Sequence, residues 1–207
     1  AAAAAYNATR PCLALAGVQQ AIQLYPALFA RYITGRRARL LHPSYNEHER
    51  QLLRQNWTVE RVCSTDQLAG ADLAVLVNPN NPDGRRSRPE QLLSLAEQVG
   101  VLVIDESFCD PLPHLSICPH LTTQHDNILV LRSFGKFYGL AGLRLGFAVG
   151  AQSYLDDLAE MMGTWAVSGP ALAVGQFALT DRIWTTKMTT QLVTESVQLD
   201  QLATVAG

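Results

Sequence analysis

Residues Ile128–Val149 read ILVLRSFGKFYGLAGLRLGFAV. The opening run, Ile128–Leu131, is continuously apolar, as a strand buried on both faces requires, and Leu145–Val149 reads as a second such strand. Between them Gly135, Gly139 and Gly142 mark a loop, and inside that loop stands Lys136. Lysine is scarce here: Lys136 and Lys187 are the two in the chain, beside fourteen arginines. A guanidinium stays protonated, whereas an amine can be desolvated and used in covalent chemistry at a carbonyl. Lys136 is therefore a candidate for amine chemistry, with a surface lysine at a turn as the plain alternative.

Working outward, Ala38–His42, Leu73–Val77 and Val101–Ile104 are further short apolar runs, each followed by a polar or Gly/Pro-containing loop. Helical patterns cover Val18–Ile33, Glu47–Asn56 and Pro89–Val99, the last with Pro89 in its first turn and Gly100 just past its end. Such alternation predicts an α/β fold, a mostly parallel central sheet with helices on both faces. Ligands of such sheets bind at the C-terminal ends of the strands. From Ser168 to about Ala203 the pattern is helical throughout, with Leu192, Val193, Val197, Leu199 and Leu202 as its later apolar positions. Ala1–Ala5 reads as the remainder of a helix and Ala203–Gly207 as a helix end, so both termini are expected to be truncated.

The chain has 207 residues, 48% hydrophobic and 16% charged, with a net charge of −2. Nothing in it is long and apolar enough for a membrane span, and dispersed arginines at this net charge gather neither nucleic acid nor an anionic membrane. Small-molecule chemistry is the expectation. Cys12, Cys63, Cys109 and Cys118 form no C-x-x-C pair, and no signal peptide opens the chain, which favours a reducing cytoplasm. Cys109, His114, Cys118, His120 and His125 lie close together, but their spacings match no usual zinc-ligand pairing; buried thiols and loop histidines are expected, and no metal.

The chemistry-bearing residues fall where the strands end. Asn78-Pro79-Asn80-Asn81-Pro82-Asp83-Gly84 follows one strand, Asp105 and Glu106 end the next, Ser133 and Lys136 follow a third, and Arg144 precedes a fourth. An amide, a carboxylate, a lysine with a nearby hydroxyl and an arginine thus meet on one sheet edge. A phosphorylated pyridine bearing a carbonyl needs that set: an amine to bond the carbonyl, a carboxylate to keep the ring nitrogen protonated, and donors for the phosphate. Taken singly, Asp105 also reads as a strand-end cap, Asn81 as a turn residue and Arg144 as half of a surface ion pair.

Together, Asn78–Gly84, Val103–Phe108 and Ser133–Gly146, three motifs in order, resemble the class I/II aminotransferase superfamily of fold-type I enzymes dependent on pyridoxal 5′-phosphate. The resemblance implies a three-layer large domain over residues 1–167, lacking its N-terminal segment. It further implies that 168–207 is a long helical segment leading to a small C-terminal domain that this chain lacks. In that superfamily the lysine of the third motif carries the cofactor covalently, here Lys136, and the aspartate of the second pairs with the ring nitrogen, here Asp105. Asn81 would donate to the ring hydroxyl, and Ser133 and Arg144 would hold the phosphate. The Ala16–Gln19 turn opens a helix whose free N–H groups suit an anion, so Gly17, Val18 and Gln19 would cup the phosphate. Tyr45 falls where an aromatic ring lies on the cofactor's face; a half-buried core aromatic is its other reading. Phe108 departs from the commoner tyrosine at its position, leaving Asn81 to carry most of the bonding to the ring oxygen.

A finer resemblance, through Ala16–Gln23, Pro43–His48, Ser133–Leu140 and Trp165–Ala171, is to the threonine-phosphate decarboxylase branch of cobalamin biosynthesis, a relative of the histidinol-phosphate aminotransferases. It implies a phosphorylated amino-acid substrate, decarboxylation to an aminopropanol phosphate, and a homodimer, with the ligands of the substrate carboxylate in regions outside the chain. Three rivals stay open: an aminotransferase on the same scaffold, a cofactor-binding regulatory domain without turnover, and a non-catalytic α/β domain.

Overall fold

The computed structural model of the chain describes residues 1–206. Seven strands form one sheet: β1 (Cys12–Leu15), β2 (Arg37–Leu41), β3 (Thr58–Val62), β4 (Leu73–Val77), β5 (Val101–Asp105), β6 (Ile128–Ser133) and β7 (Gly146–Gly150). Their spatial order is β1-β7-β6-β5-β4-β2-β3. From β3 through β6 all neighbours pair parallel, whereas β7 runs antiparallel to both β6 and β1. The expected α/β sheet, mostly parallel with helices on both faces, is the observed one.

The strand period of two sorts each side chain to one face. Leu73 and Val75, Val101 and Val103, and Leu129 and Leu131 pack with Ile22, Tyr25 and Phe29 of helix α2 (Val18–Tyr32) and Tyr154, Leu155 and Leu158 of a later helix. Ala74 and Leu76, Leu102 and Ile104, and Ile128 and Val130 face the other way, toward Leu92 and Leu95 of another helix. The one-turn α1 (Ala2–Ala5), α3 (Asn46–Arg54), α4 (Pro89–Ala96) and α5 (Gln152–Met162) complete the layers, and α6 (Gly169–Thr180) and α7 (Arg182–Ala206) follow.

The structure departs from the sequence-based expectations in three places. The helical stretch from Ser168 is two helices, because Asp181 leaves helical geometry (φ −78°, ψ 83°) and its carboxylate accepts from Trp184 N–H at 2.9 Å, which caps α7. Strands β1 and β3 were not expected; both are short edge strands, and β3 exposes Thr58, Glu60 and Arg61, so it carries no continuous apolar run. Helix α5 also went unforeseen, although Tyr154, Leu155 and Leu158 stand at helical spacing and Gly163, at φ +74°, ends it.

Candidate functional site

A cleft of about 200 Å³ opens at the C-terminal ends of β4, β5 and β6. Every residue expected at a cofactor site lines it: Gly17, Val18 and Gln19; Tyr45; Asn81; Asp105; Ser133 and Lys136; and Arg144. The two-residue period explains the selection. Val77, Asp105 and Ser133 continue the α2-facing rows of β4, β5 and β6 and reach the cleft. Glu106 and Arg132 continue the opposite rows, and there they pair at 2.7 Å, away from the cleft. Glu106 also accepts from Ser116 Oγ at 2.6 Å and from Ile117 N–H at 2.8 Å, so this buried carboxylate is fully engaged in structure.

The asparagines of Asn78–Gly84 divide in the same manner. Asn78 bonds the backbone of Ser87 in both directions, and Asn80 bonds Ser44, Pro43 and Asp83, so both stiffen the loop. Asn81 makes no side-chain hydrogen bond among the described residues and faces the cleft. Ser133 and Lys136 likewise make none; Lys136 Nζ lies 5.5 Å from the centre of the Phe108 ring. Arg144 commits Nη1 to Ala141 O at 3.1 Å, which leaves the rest of its guanidinium available.

Arg144 and Gly17 make a close pair. Arg144 sits in the left-handed region at φ 52°, and Gly17, the N-cap of α2, at φ 81°. A β-carbon added to Gly17 would come within 2.7 Å of Arg144 Nη2, so the guanidinium lies directly against the start of the helix. The first N–H groups of α2 have no partner within the helix and carry its positive dipole end. Gly146 is required by a second close approach, since its added β-carbon would lie 2.8 Å from Val18 N. Free N–H groups, a guanidinium and the Ser133 hydroxyl together suit a phosphate.

On the opposite rim, Tyr45 is 40% exposed and outside both apolar clusters, which sets aside its reading as a core aromatic. Its hydroxyl donates to Gln19 Oε1 at 3.3 Å, while Gln19 Nε2 donates to Glu47 at 3.0 Å. Hydrogen bonds from Gln51 and Arg50, then Gln19, hold the Glu47 carboxyl below its ordinary value. Burial, followed by the Glu47 and Asp105 charges, raises the Tyr45 phenol.

Residue reasoning missed the support beneath Asp105. Its Oδ1 accepts from the N–H and hydroxyl of Ser107, and its Oδ2 lies 3.0 Å from Nε2 of the buried His48. One signal was available, since His48 follows Tyr45 by three residues, close to one helical turn. In the cysteine and histidine cluster Cys109 and Cys118 are buried thiols and His114 and His120 exposed loop histidines, as the spacing suggested, and no group of metal ligands is found among the described residues. No described helix is long and apolar enough to cross a membrane.

The groups that line the cleft therefore fit a phosphorylated pyridine with a carbonyl: an amine, a fixed carboxylate, an amide and a set of phosphate donors. Known proteins agree. The family model "Aminotransferase class I and II" matches residues 6–204. A threonine-phosphate decarboxylase of Sinorhizobium sp is 43% identical over 84% of this chain and 54% of its own length. One from Pseudomonas aeruginosa is 39% identical over 98% of this chain and 61% of its own. The chain thus spans little more than half the length of these curated relatives. The crystal structure of L-threonine-O-3-phosphate decarboxylase from Porphyromonas gingivalis superposes with a TM-score of 0.72 at 26% identity, covering 81% of this chain and 53% of that one. With a family model matched across nearly its whole length, the chain belongs to the aminotransferase class I and II family.

Proposed function

We propose that the full protein is a pyridoxal 5′-phosphate-dependent decarboxylase that converts L-threonine O-3-phosphate to an aminopropanol phosphate and carbon dioxide. The observation that carries the cofactor assignment is the convergence of uncommitted Asn81, Ser133 and Lys136, and of the largely free Arg144 guanidinium, around the fixed Asp105. The substrate assignment is supported by the two relatives of that name at 43% and 39% identity.

When bound, the cofactor supplies a protonated ring, conjugated with the substrate nitrogen, that accepts the electron pair of a bond broken at the substrate's α-carbon. Lys136 holds the cofactor through its amine until substrate amine displaces it. Asp105 keeps the proton on the ring nitrogen, and a carboxylate already fixed by Ser107 and His48 needs no rearrangement to do so. Asn81 donates to the ring oxygen, and Tyr45 covers one face of the ring. Gly17, Val18, Gln19, Ser133 and Arg144 bind the phosphate. Lys136, once released, would return one proton to the substrate's α-carbon in place of the carbon dioxide lost.

On this reading residues 1–167 form the cofactor-binding domain and 168–207 lead out of it. A homodimer is supported by the apolar side chains that α6 and α7 leave exposed, Phe177 at 75% and Ile183 at 86% among them. Work in a reducing cytoplasm suits the unpaired cysteines, and a place in cobalamin biosynthesis follows from the resemblance to the threonine-phosphate decarboxylase branch.

The test uses the full-length protein: cofactor is added, the visible spectrum recorded, and threonine phosphate then supplied while carbon dioxide is assayed. A cofactor band that depends on Lys136, with carbon dioxide released, is expected. The same band with conversion to pyridoxamine phosphate and no carbon dioxide would make the protein an aminotransferase.

A further inference from the structure

Behind Asp105 runs a chain of buried side chains that never touches the cleft. Asp105 Oδ2 meets Nε2 of His48 at 3.0 Å, and Nδ1 of the same ring meets the Tyr25 hydroxyl at 3.1 Å. Tyr25 belongs to α2 and His48 to the first turn of α3, and both are 0% exposed. Apart from Asp105 and Tyr25, the titratable group facing His48 is Tyr45, whose ring meets it edge-on at 6.1 Å.

Hydrogen accounting decides the state of the imidazole. A phenol has one hydrogen to donate, and among the described residues the Tyr25 hydroxyl has His48 Nδ1 as its partner. Were Nδ1 also to carry a hydrogen, the phenol hydrogen would be left in an apolar interior with nothing to accept it. Tyr25 stays a phenol, because burial and then the Asp105 charge push it well above its ordinary value. Nδ1 is therefore the acceptor and Nε2 carries the ring's hydrogen, which it donates to Asp105.

We propose that Tyr25 is a positioning residue: by donating to Nδ1 it fixes the His48 ring with its hydrogen on Nε2, so that Asp105 receives a hydrogen bond from Nε2 and is held in place for the cleft. The functional half of this inference rests on Asp105 being the partner of the cofactor's ring nitrogen; the tautomer itself does not.

Nitrogen-15 spectra of the histidine rings in the full-length protein, with His48 identified by its loss in His48→Gln, test the tautomer without any turnover. Wild type should show a ring protonated at Nε2 with a hydrogen-bonded Nδ1, and Tyr25→Phe should show Nδ1 moved to the position of a nitrogen without a hydrogen-bond donor. The same Tyr25→Phe protein should bind pyridoxal 5′-phosphate roughly tenfold more weakly, with a shifted visible band, and lose kcat with KM little changed. A wild-type His48 protonated at Nδ1 or at both nitrogens, or an unaltered His48 pattern in Tyr25→Phe, would overturn the inference. Since these spectra precede substrate, a protein showing the expected pattern but releasing no carbon dioxide would lose the decarboxylase reading and keep this one.

Discussion

At the scale of single residues, adjacent positions on one strand end do opposite work. Asp105 faces α2 and the cleft, whereas Glu106 faces the other layer and meets Arg132. Lys136→Ala should abolish the covalent cofactor band, and Asp105→Ala should retain the band while turnover falls roughly 100-fold, about 2.7 kcal/mol of barrier; normal turnover in Asp105→Ala would remove the electron-withdrawing role. Arg132→Ala belongs to a different ledger. Arg132 is 3% exposed, its Nη2 lies 3.0 Å from Asp110, and its guanidinium stacks over the Tyr6 ring at 4.3 Å. Burial is the first cause raising the Asp110 carboxyl, with the arginine as the opposing one, so its removal would strand two buried acids. A loss of about 3–5 kcal/mol in denaturant unfolding is expected, with Lys136 chemistry intact in whatever remains folded. That these side chains gather at the strand ends was legible from the residues, because it depends on the strand pattern alone. The support from His48 and Tyr25 was not, because it joins positions whose nearness only the packing of α2 and α3 on β5 creates.

At the scale of elements, the proposed phosphate cradle is a contact between the start of α2 and the turn before β7. Gly17 has to be glycine on two counts, its φ of 81° and the 2.7 Å that separates an added β-carbon from Arg144 Nη2. The clash is with the end of a flexible side chain, so Gly17→Ala should fold, less stable by about 1–3 kcal/mol from backbone strain, but with the guanidinium displaced. Arg144→Ala should weaken cofactor retention by about 1.5–3 kcal/mol, seen as faster loss on dialysis. Combined, the two substitutions should cost retention little more than Arg144→Ala alone, because the first already moves the group that the second deletes. Fully additive losses would separate Gly17 from Arg144. This coupling could be anticipated from the sequence only as two anion-binding features, since their contact is set by the register of β1 against β7, which brings Leu15 opposite Gly146. The break at Asp181 was equally hidden, for a lone capping aspartate within a long periodic run resembles any surface acid.

At the scale of the whole molecule, three of the four thiols report on how far the fold opens. Cys63 is exposed, whereas Cys109 and Cys118 are buried on the face of the sheet opposite the cleft-facing rows. Burial is the main cause that pushes the Cys109 thiol up to about 12, with the Glu106 charge second, and the same two causes raise Cys118 well above its ordinary value. A thiolate is the reactive form, so native protein should alkylate at Cys63 and resist at Cys109 and Cys118. Labelling of these two then requires the β5–β6 layer to open, and its rate in mild denaturant measures the population of opened molecules. Ligand bound only by the native state lowers that population in proportion to its saturation, roughly 100-fold at about 100 times its dissociation constant. Pyridoxal 5′-phosphate should therefore slow labelling of Cys109 and Cys118 without touching Cys63, and the protection should shrink in Arg144→Ala, where the cofactor is held less tightly. Equal labelling of Cys118 and Cys63 in native protein would contradict the buried layer itself, whereas protection by the cofactor at Cys63 alone would place its site away from the strand ends of β4, β5 and β6.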